Sequence, residues 1–271
     1  MSLTEGLSDL FGSITVEQAS YKVHARATFY PNFVRVFIPQ KPYDKLLPGM
    51  EASKSLIRTK NVSKQNSEED FERSLRRTKK TIRDYVLCNQ FGLLATFTFK
   101  HDRQNTPKSK IKMSNWIKNQ QKRKGKFEYL IIPEFHHDQQ SLHFHALIKN
   151  YTGKLKPAIN PKTKEHRKQK GRQIYTLPSY RLGFTNVIKI DDSPESHAKV
   201  ASYVGKYITK DMPRIFGKNR YWASGGLRLP RTQDNPPDWY LRKPPLRAYS
   251  SEFGITLDFT LSSASEESVW S

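Results

Sequence analysis

Residues 129–148 limit the fold of this chain more than any other stretch. Tyr129-Leu-Ile-Ile-Pro-Glu134 is an apolar run ending in a carboxylate. Phe135-His-His-Asp-Gln-Gln-Ser141 is polar, and Leu142-His143-Phe144-His145-Ala-Leu-Ile148 is apolar again. The pattern is that of two strands joined by a turn. Side chains alternate across a strand, so His143 and His145 share one face and Phe144 points to the other. Folding the hairpin about Asp138 and Gln139 sets Glu134 opposite His143. Two imidazoles and a carboxylate then meet on one face of a sheet, leaving coordination positions for water or a substrate oxygen. A His-x-His pair alone reads equally well as two side chains facing water. The carboxylate on the neighbouring strand, and a second motif at residues 202–210, turn the reading toward chemistry. His136 and His137 sit in the turn beside these residues and read first as exposed turn residues, with third-ligand and DNA-contact roles as alternatives.

Charge narrows the partner. Lys and Arg number 47 against 25 acids, a formal net charge of +22. A chain this basic binds polyanions by releasing their counterions, and nucleic acid is the first candidate. No apolar run approaches the roughly 18–20 residues of a spanning helix, so no membrane partner is expected. The first residues lack the basic-then-apolar order of a signal peptide. The single cysteine, Cys88, forbids an internal disulfide, fits a reducing cytosol, and reads as a small buried hydrophobe.

Along the chain, Tyr21–Ile38 predicts a hairpin turning at Tyr30-Pro31-Asn32, and residues 39–66 read as a basic linker. A helix is expected from Ser67, with Phe71, Leu75, Thr78, Ile82 and Val86 as its buried stripe and Arg73, Arg76, Arg77, Lys79, Lys80 and Arg83 outside. Leu93–Phe99 reads as a core strand. A second helix begins at Thr106-Pro107 and runs through Ile111, Trp116 and Ile117, its charge all positive. Residues 149–172 hold nine Lys or Arg against one Glu and almost nothing apolar. They predict a long exposed basic loop that contacts nucleic acid through Lys162, Lys164, Arg167, Lys168, Lys170 and Arg172. Phe184–Ile190 is another strand. A helix over 194–211 follows, with Asp192 and Glu195 at capping-box spacing and Ala201, Val204 and Ile208 inward. In Arg220-Tyr221-Trp222 basic and aromatic residues interleave, as on surfaces that stack bases and neutralise phosphates; a buried aromatic cluster fits equally well. Phe253–Phe259 reads as a strand. The expected organisation is an N-terminal hairpin and linker at 1–66, a catalytic domain at 67–227 with a basic insertion at 149–180, and a Pro-rich extension at 228–271.

The helix over 194–211 supplies the second motif. Tyr203, Lys206, Tyr207 and Lys210 recur at i, i+3, i+4 and i+7 and so share one face. A metal on Glu134, His143 and His145 could polarise a scissile phosphate. A tyrosine on the helix could attack it. Free tyrosine has a pKa near ~10, so Lys206 and Lys210 are placed to stabilise the phenolate or the transition state. The product is a phosphotyrosine ester and a free sugar hydroxyl, which conserves the phosphodiester for rejoining without ATP. Tyr203 is expected to be the main nucleophile, being further from the helix end at Pro213, with Tyr207 as a second nucleophile or an auxiliary.

His143-Phe144-His145 resembles the His-hydrophobic-His motif of the HUH endonucleases, and Tyr203-Val-Gly-Lys206-Tyr207-Ile-Thr-Lys210 resembles their tyrosine motif. Leu94-Ala-Thr-Phe-Thr-Phe99 is similar to their first, structural motif. Within that superfamily, residues 90–227 most resemble rolling-circle replication initiators of bacterial plasmids and of filamentous or microvirus-like phages. Arg220–Leu227 is similar to a segment those proteins carry after the tyrosine helix. The resemblance implies an α+β fold, a central antiparallel sheet with helices packed on one side. It implies Mg²⁺ or Mn²⁺ as cofactor and single-stranded origin DNA as substrate, cut to leave a 5′-phosphotyrosine link. No Gly-x-x-x-x-Gly-Lys-Ser/Thr loop occurs, so unwinding and synthesis would fall to a host helicase and polymerase in a bacterial cytoplasm. Two other readings remain: a transposase or relaxase using the same chemistry, and a non-catalytic nucleic-acid-binding protein.

Overall fold

The computed structural model describes residues 20–46, 68–136, 138–208 and 220–261. In chain order its elements are β1 (Ser20–Val23), β2 (Arg26–Phe29), β3 (Phe33–Pro39), β4 (Tyr43–Leu46), α1 (Glu68–Cys88), β5 (Leu93–Phe97), α2 (Thr106–Lys124), β6 (Glu128–Phe135) and β7 (Leu142–Lys149). Then come β8 (Lys156–Pro157), β9 (Lys168–Gln169), β10 (Arg172–Gln173), β11 (Tyr175–Thr176), β12 (Thr185–Lys189), α3 (Pro194–Gly205) and β13 (Trp222–Ala223). The last are β14 (Arg231–Asp234), a 3₁₀ turn at Asp238–Leu241, β15 (Arg247–Ser251) and β16 (Gly254–Thr260). The chain divides into two compact units, one of Glu68–Leu229 and one made from its two ends.

The unit of residues 68–229 is built on a seven-stranded antiparallel sheet in the order β13-β6-β7-β5-β12-β11-β8. The α+β fold expected from the sequence is the one observed. Its helices do not lie on one side, however. α2 packs on one face over Phe97, Ile131, Phe144 and Ala146, and α1 and α3 pack on the other over Leu130, Ile132 and Leu147. The reason lies in the strands themselves. Leu130, Ile131 and Ile132 on β6, and Ala146, Leu147 and Ile148 on β7, are continuous apolar runs that are all buried. A strand apolar on both faces needs cover on both.

α1 buries Leu75, Ile82 and Val86, and its six outward Arg and Lys side chains are exposed. In α2, Trp116 and Ile117 are buried as expected, but Ile111 faces solvent. α3 is capped by Ser193, whose hydroxyl accepts from Ser196 N–H at 3.1 Å, with Pro194 in the first turn. The cap is therefore one residue after Asp192. The helix also stops earlier than its apolar stripe suggests. Lys206 and Tyr207 N–H bond to the carbonyls of Tyr203 and Val204 at 3.1 Å, the tighter three-residue spacing of a 3₁₀ finish.

The basic insertion is folded, not an open loop. β8 and β11 extend the main sheet, and β9 and β10 pair as a short hairpin. Lys170 and Gly171 both have positive φ, 50° and 78°, which gives the hairpin the twist of a type I′ turn. Ala158, Ile174 and Leu177 are buried beneath it, few apolar residues but well spaced.

The second unit is a five-stranded antiparallel sheet, β14-β2-β3-β16-β15, with β1 and β4 paired separately. The predicted β2–β3 hairpin is present, as is the strand at β16. Ala27, Phe29, Val34, Val36 and Phe259 form its core. β14 and β16 come from the far end of the sequence to pair with β2 and β3. Asp234 fixes one edge, accepting from Arg26 at 2.5 Å, Lys45 at 2.8 Å and the Tyr21 hydroxyl at 2.7 Å.

Candidate active site

β6 and β7 pair in the expected register, with Glu134 opposite His143 and Ile132 opposite His145. Their turn is held by Asp138. Its carboxylate accepts from Ser141 N–H at 2.7 Å, Gln140 N–H at 3.0 Å and the Ser141 hydroxyl. The hydroxyl contact leads the effects that hold Asp138 far below the usual carboxylate range. Phe144 is fully buried on the α2 side, which forces His143 and His145 onto the α1/α3 side.

Glu134 makes its direct contact with His145 and not with the residue opposite. Glu134 Oε2 lies 2.6 Å from His145 Nε2. On the other side of the same ring, Thr96 Oγ1 of β5 lies 3.2 Å from Nδ1. A carboxylate can only accept, so in the neutral ring Nε2 carries the proton and Nδ1 takes the Thr96 hydroxyl. Thr96 stands opposite His145 in the β5–β7 ladder. Sequence reading missed it because nothing in the sequence shows which strand lies beside β7. His143 rests against His136, their ring centroids 4.8 Å apart. Burial, with the neighbouring His136 and His145 adding to it, pushes its pKa below the ordinary imidazole value.

The tyrosine motif lies over the histidine motif. The Tyr207 ring stacks on His145 at 3.6 Å between centroids and 12° between planes. Tyr203 meets Tyr207 edge-on at 5.2 Å and is 38% exposed. Burial is the main cause that raises the Tyr207 pKa, followed by its hydrogen bond with Tyr203 and the nearby Glu134 charge. Stacking covers one face of the buried His145 ring, while both nitrogens, which lie in its plane, are engaged by Glu134 and Thr96. Lys206 is exposed beside the tyrosines. Lys210 and His137 lie outside the described residues.

Glu134, His143 and His145 thus share one face. Among the described residues, no three His, Cys, Asp or Glu side chains stand at metal-binding spacing. Glu134 and His145 are closed on each other. Of their donor set, the carboxylate suits Mg²⁺ or Mn²⁺, and the two imidazole nitrogens are donors more typical of softer divalent ions.

The remaining expected contacts divide. Lys162, Lys164, Arg167, Lys168, Lys170 and Arg172 are all exposed on the folded insertion, Arg172 pairing with Asp191 at 3.1 Å. Arg220 is 4% exposed. Its guanidinium donates to Ser74 Oγ at 2.8 Å and sits 4.9 Å from the Phe71 ring centroid. Trp222 pairs with Ile131 and packs edge-on against Tyr129 at 5.1 Å, while Tyr221 is half-buried against Tyr85. This segment clamps α1 to the edge of the sheet, with Tyr221 and Trp222 partly buried.

Residues 92–212 match the model of a family of replication-associated proteins, the ORF2 family. The matched stretch contains β5, the histidine hairpin, the basic insertion and the tyrosine helix. No curated protein and no solved structure matches the chain. Among the described residues, no helix is long and apolar enough to cross a membrane.

Proposed function

We propose that this protein initiates rolling-circle replication by nicking single-stranded origin DNA, linking itself to the 5′ phosphate through a tyrosine and later passing that phosphate to a free 3′ hydroxyl. The observation that carries the reading is the tyrosine motif seated on the histidine motif, Tyr207 stacked on His145 at 3.6 Å. The match of this same stretch to a replication-associated family supports it.

Tyr203 is the main nucleophile in this proposal, being open to an incoming strand, and Tyr207 is a second nucleophile or holds the His145 ring in place. The phenol oxygen bonds to phosphorus as the bond from phosphorus to the 3′ oxygen breaks. The phenol loses a proton and the departing 3′ oxygen gains one. One phosphodiester is exchanged for another, so rejoining needs no ATP. Lys206 and Lys210 offset the charge that develops on phosphate and phenolate. Glu134, His143 and His145 would hold Mg²⁺ or Mn²⁺, which when bound supplies Lewis-acid polarisation of the phosphate. Holding a metal through Nε2 would require the Glu134–His145 contact to open and the His145 proton to sit on Nδ1, where the Thr96 hydroxyl, able to donate or accept, could support it. The exposed insertion adds affinity through its lysines and arginines, and a bacterial host's helicase and polymerase complete replication.

The test is incubation of the full chain with labelled single-stranded oligonucleotides and Mn²⁺. A covalent adduct that survives SDS is expected. Its absence across a set of origin fragments would leave a basic DNA-binding protein without chemistry.

A further inference from the structure

The face of the sheet opposite the tyrosines carries a feature that the nicking chemistry leaves unused. α2 covers that face, burying Ser109, Met113, Trp116, Ile117 and Gln120. From Arg103 to Phe127 the chain holds nine Lys or Arg and no acid. Asp102 engages Lys112 at 2.7 Å and Lys108 at 3.8 Å. Lys118, Lys122, Arg123 and Lys124 are exposed and enter no ion pair among the described residues. Lys108, Ile111, Asn115, Lys118 and Lys122 recur at three- and four-residue spacing and so form one row. Every member of that row is exposed, Ile111 by 59%.

We propose that the outer row of α2 docks duplex nucleic acid, separately from the single strand handled beside Tyr203. The tyrosines belong to the α3 side of the sheet and this row to the α2 side, so one strand at the tyrosines cannot account for it. The chemistry of the row selects the occupant. Single strands are held by aromatic side chains that stack bases, and the one aromatic residue of α2, Trp116, is buried. What α2 offers is a straight, rigid row with three lysines, one asparagine and one isoleucine. Fourteen residues separate Lys108 from Lys122, about 21 Å at ~1.5 Å per residue. The major groove, ~12 Å wide, admits a helix, and its base edges are read by the side chains found here: asparagine on adenine, lysine on guanine, an apolar group on the thymine methyl. A membrane surface fits poorly, because lying in the interface requires an apolar face and the row has a single apolar member. The inference does not depend on the nicking chemistry.

The test compares the full chain with a Lys118→Gln, Lys122→Gln, Arg123→Gln variant. Fluorescence anisotropy reads binding to a labelled duplex and to one of its strands over a range of salt. The duplex salt slope is expected to flatten by about one unit for each phosphate no longer neutralised, up to about three, while the single-strand slope and adduct formation on single strands stay as they were. An unchanged duplex slope, or equal flattening on both substrates, overturns the proposal. Far-UV circular dichroism confirms that the variant is folded. Asn115→Ala provides a second reading, since it removes no charge. It is expected to weaken duplex binding without altering the salt slope, and undiminished binding to every duplex tested would remove the groove-reading role of the row.

Discussion

β6 and β7 are paired along their full length, from Glu128 with Lys149 to Phe135 with Leu142, and β7 is held on its other edge by β5. α3 is built differently. It is capped firmly at Ser193 and pinned by Val200, Ala201 and Val204, yet it ends at Gly205, inside the tyrosine motif. The histidines thus stand on a ladder braced on both sides, and the tyrosines where a helix gives way to a 3₁₀ turn, with Ile208 just beyond still buried in the core. The two halves do different jobs in the proposed reaction. Metal donors work only within a fraction of an ångström of their places, which favours a rigid element. A nucleophile that becomes covalently attached, and is later released, must be able to approach and withdraw.

Removing His145 has the largest expected effect. His145→Ala should abolish nicking while leaving DNA binding largely intact, because binding rests on many distributed Lys and Arg. Oligonucleotide cleavage and anisotropy on the same preparation check both halves, and undiminished nicking would take the hairpin out of the chemistry. A smaller effect is expected one strand away. Thr96→Val keeps the shape but removes the hydroxyl partner of Nδ1. Loss of such a support typically costs ~10–100-fold in metal affinity or activity, so adduct formation should require correspondingly more Mn²⁺. An unchanged Mn²⁺ titration would mean that His145 is oriented by its ladder and by Glu134 alone.

Stability separates the two halves further. Ser193→Ala should cost about 1 kcal/mol in urea unfolding, a direct measure of how far α3 depends on its cap. The hairpin should respond to pH instead. His143 is held below the ordinary imidazole value, so as pH falls through about 6.5 the unfolded chain takes up a proton that the folded chain resists. Stability should therefore fall on acidification and be unaffected by this group above that range. The urea midpoint of the wild type should drop more between pH ~7.5 and ~5.5 than that of His143→Gln. Equal drops would show that other groups set the acid response.

The hairpin was legible in the sequence because its evidence is local: a period of two, an Asx turn, and a register that fixes which side chains share a face. What lay beyond it was not. The pairing of Glu134 with His145 depends on side-chain reach, which register does not encode. Thr96 depends on strand order. The apolar stripe overstates the length of α3 because Ile208 continues it after the hydrogen bonding has tightened to a 3₁₀ turn. The insertion read as an open loop because Ala158, Ile174 and Leu177 are too sparse to show a period, although each is buried. The joining of the two chain ends by β14–β2 and β16–β3 pairs residues at opposite ends of the sequence, where local pattern gives no signal.

Adduct formation by Tyr203→Phe, Tyr207→Phe and the double variant tests the central claim most directly. Each protein is incubated with single-stranded origin DNA and Mn²⁺ and resolved in SDS. Tyr203→Phe should lose most of the covalent complex, Tyr207→Phe should retain part of it, and the double variant should form none. Loss confined to Tyr207→Phe would transfer the attack to the tyrosine stacked on His145. A full yield of adduct from the double variant would contradict tyrosine chemistry at this site altogether.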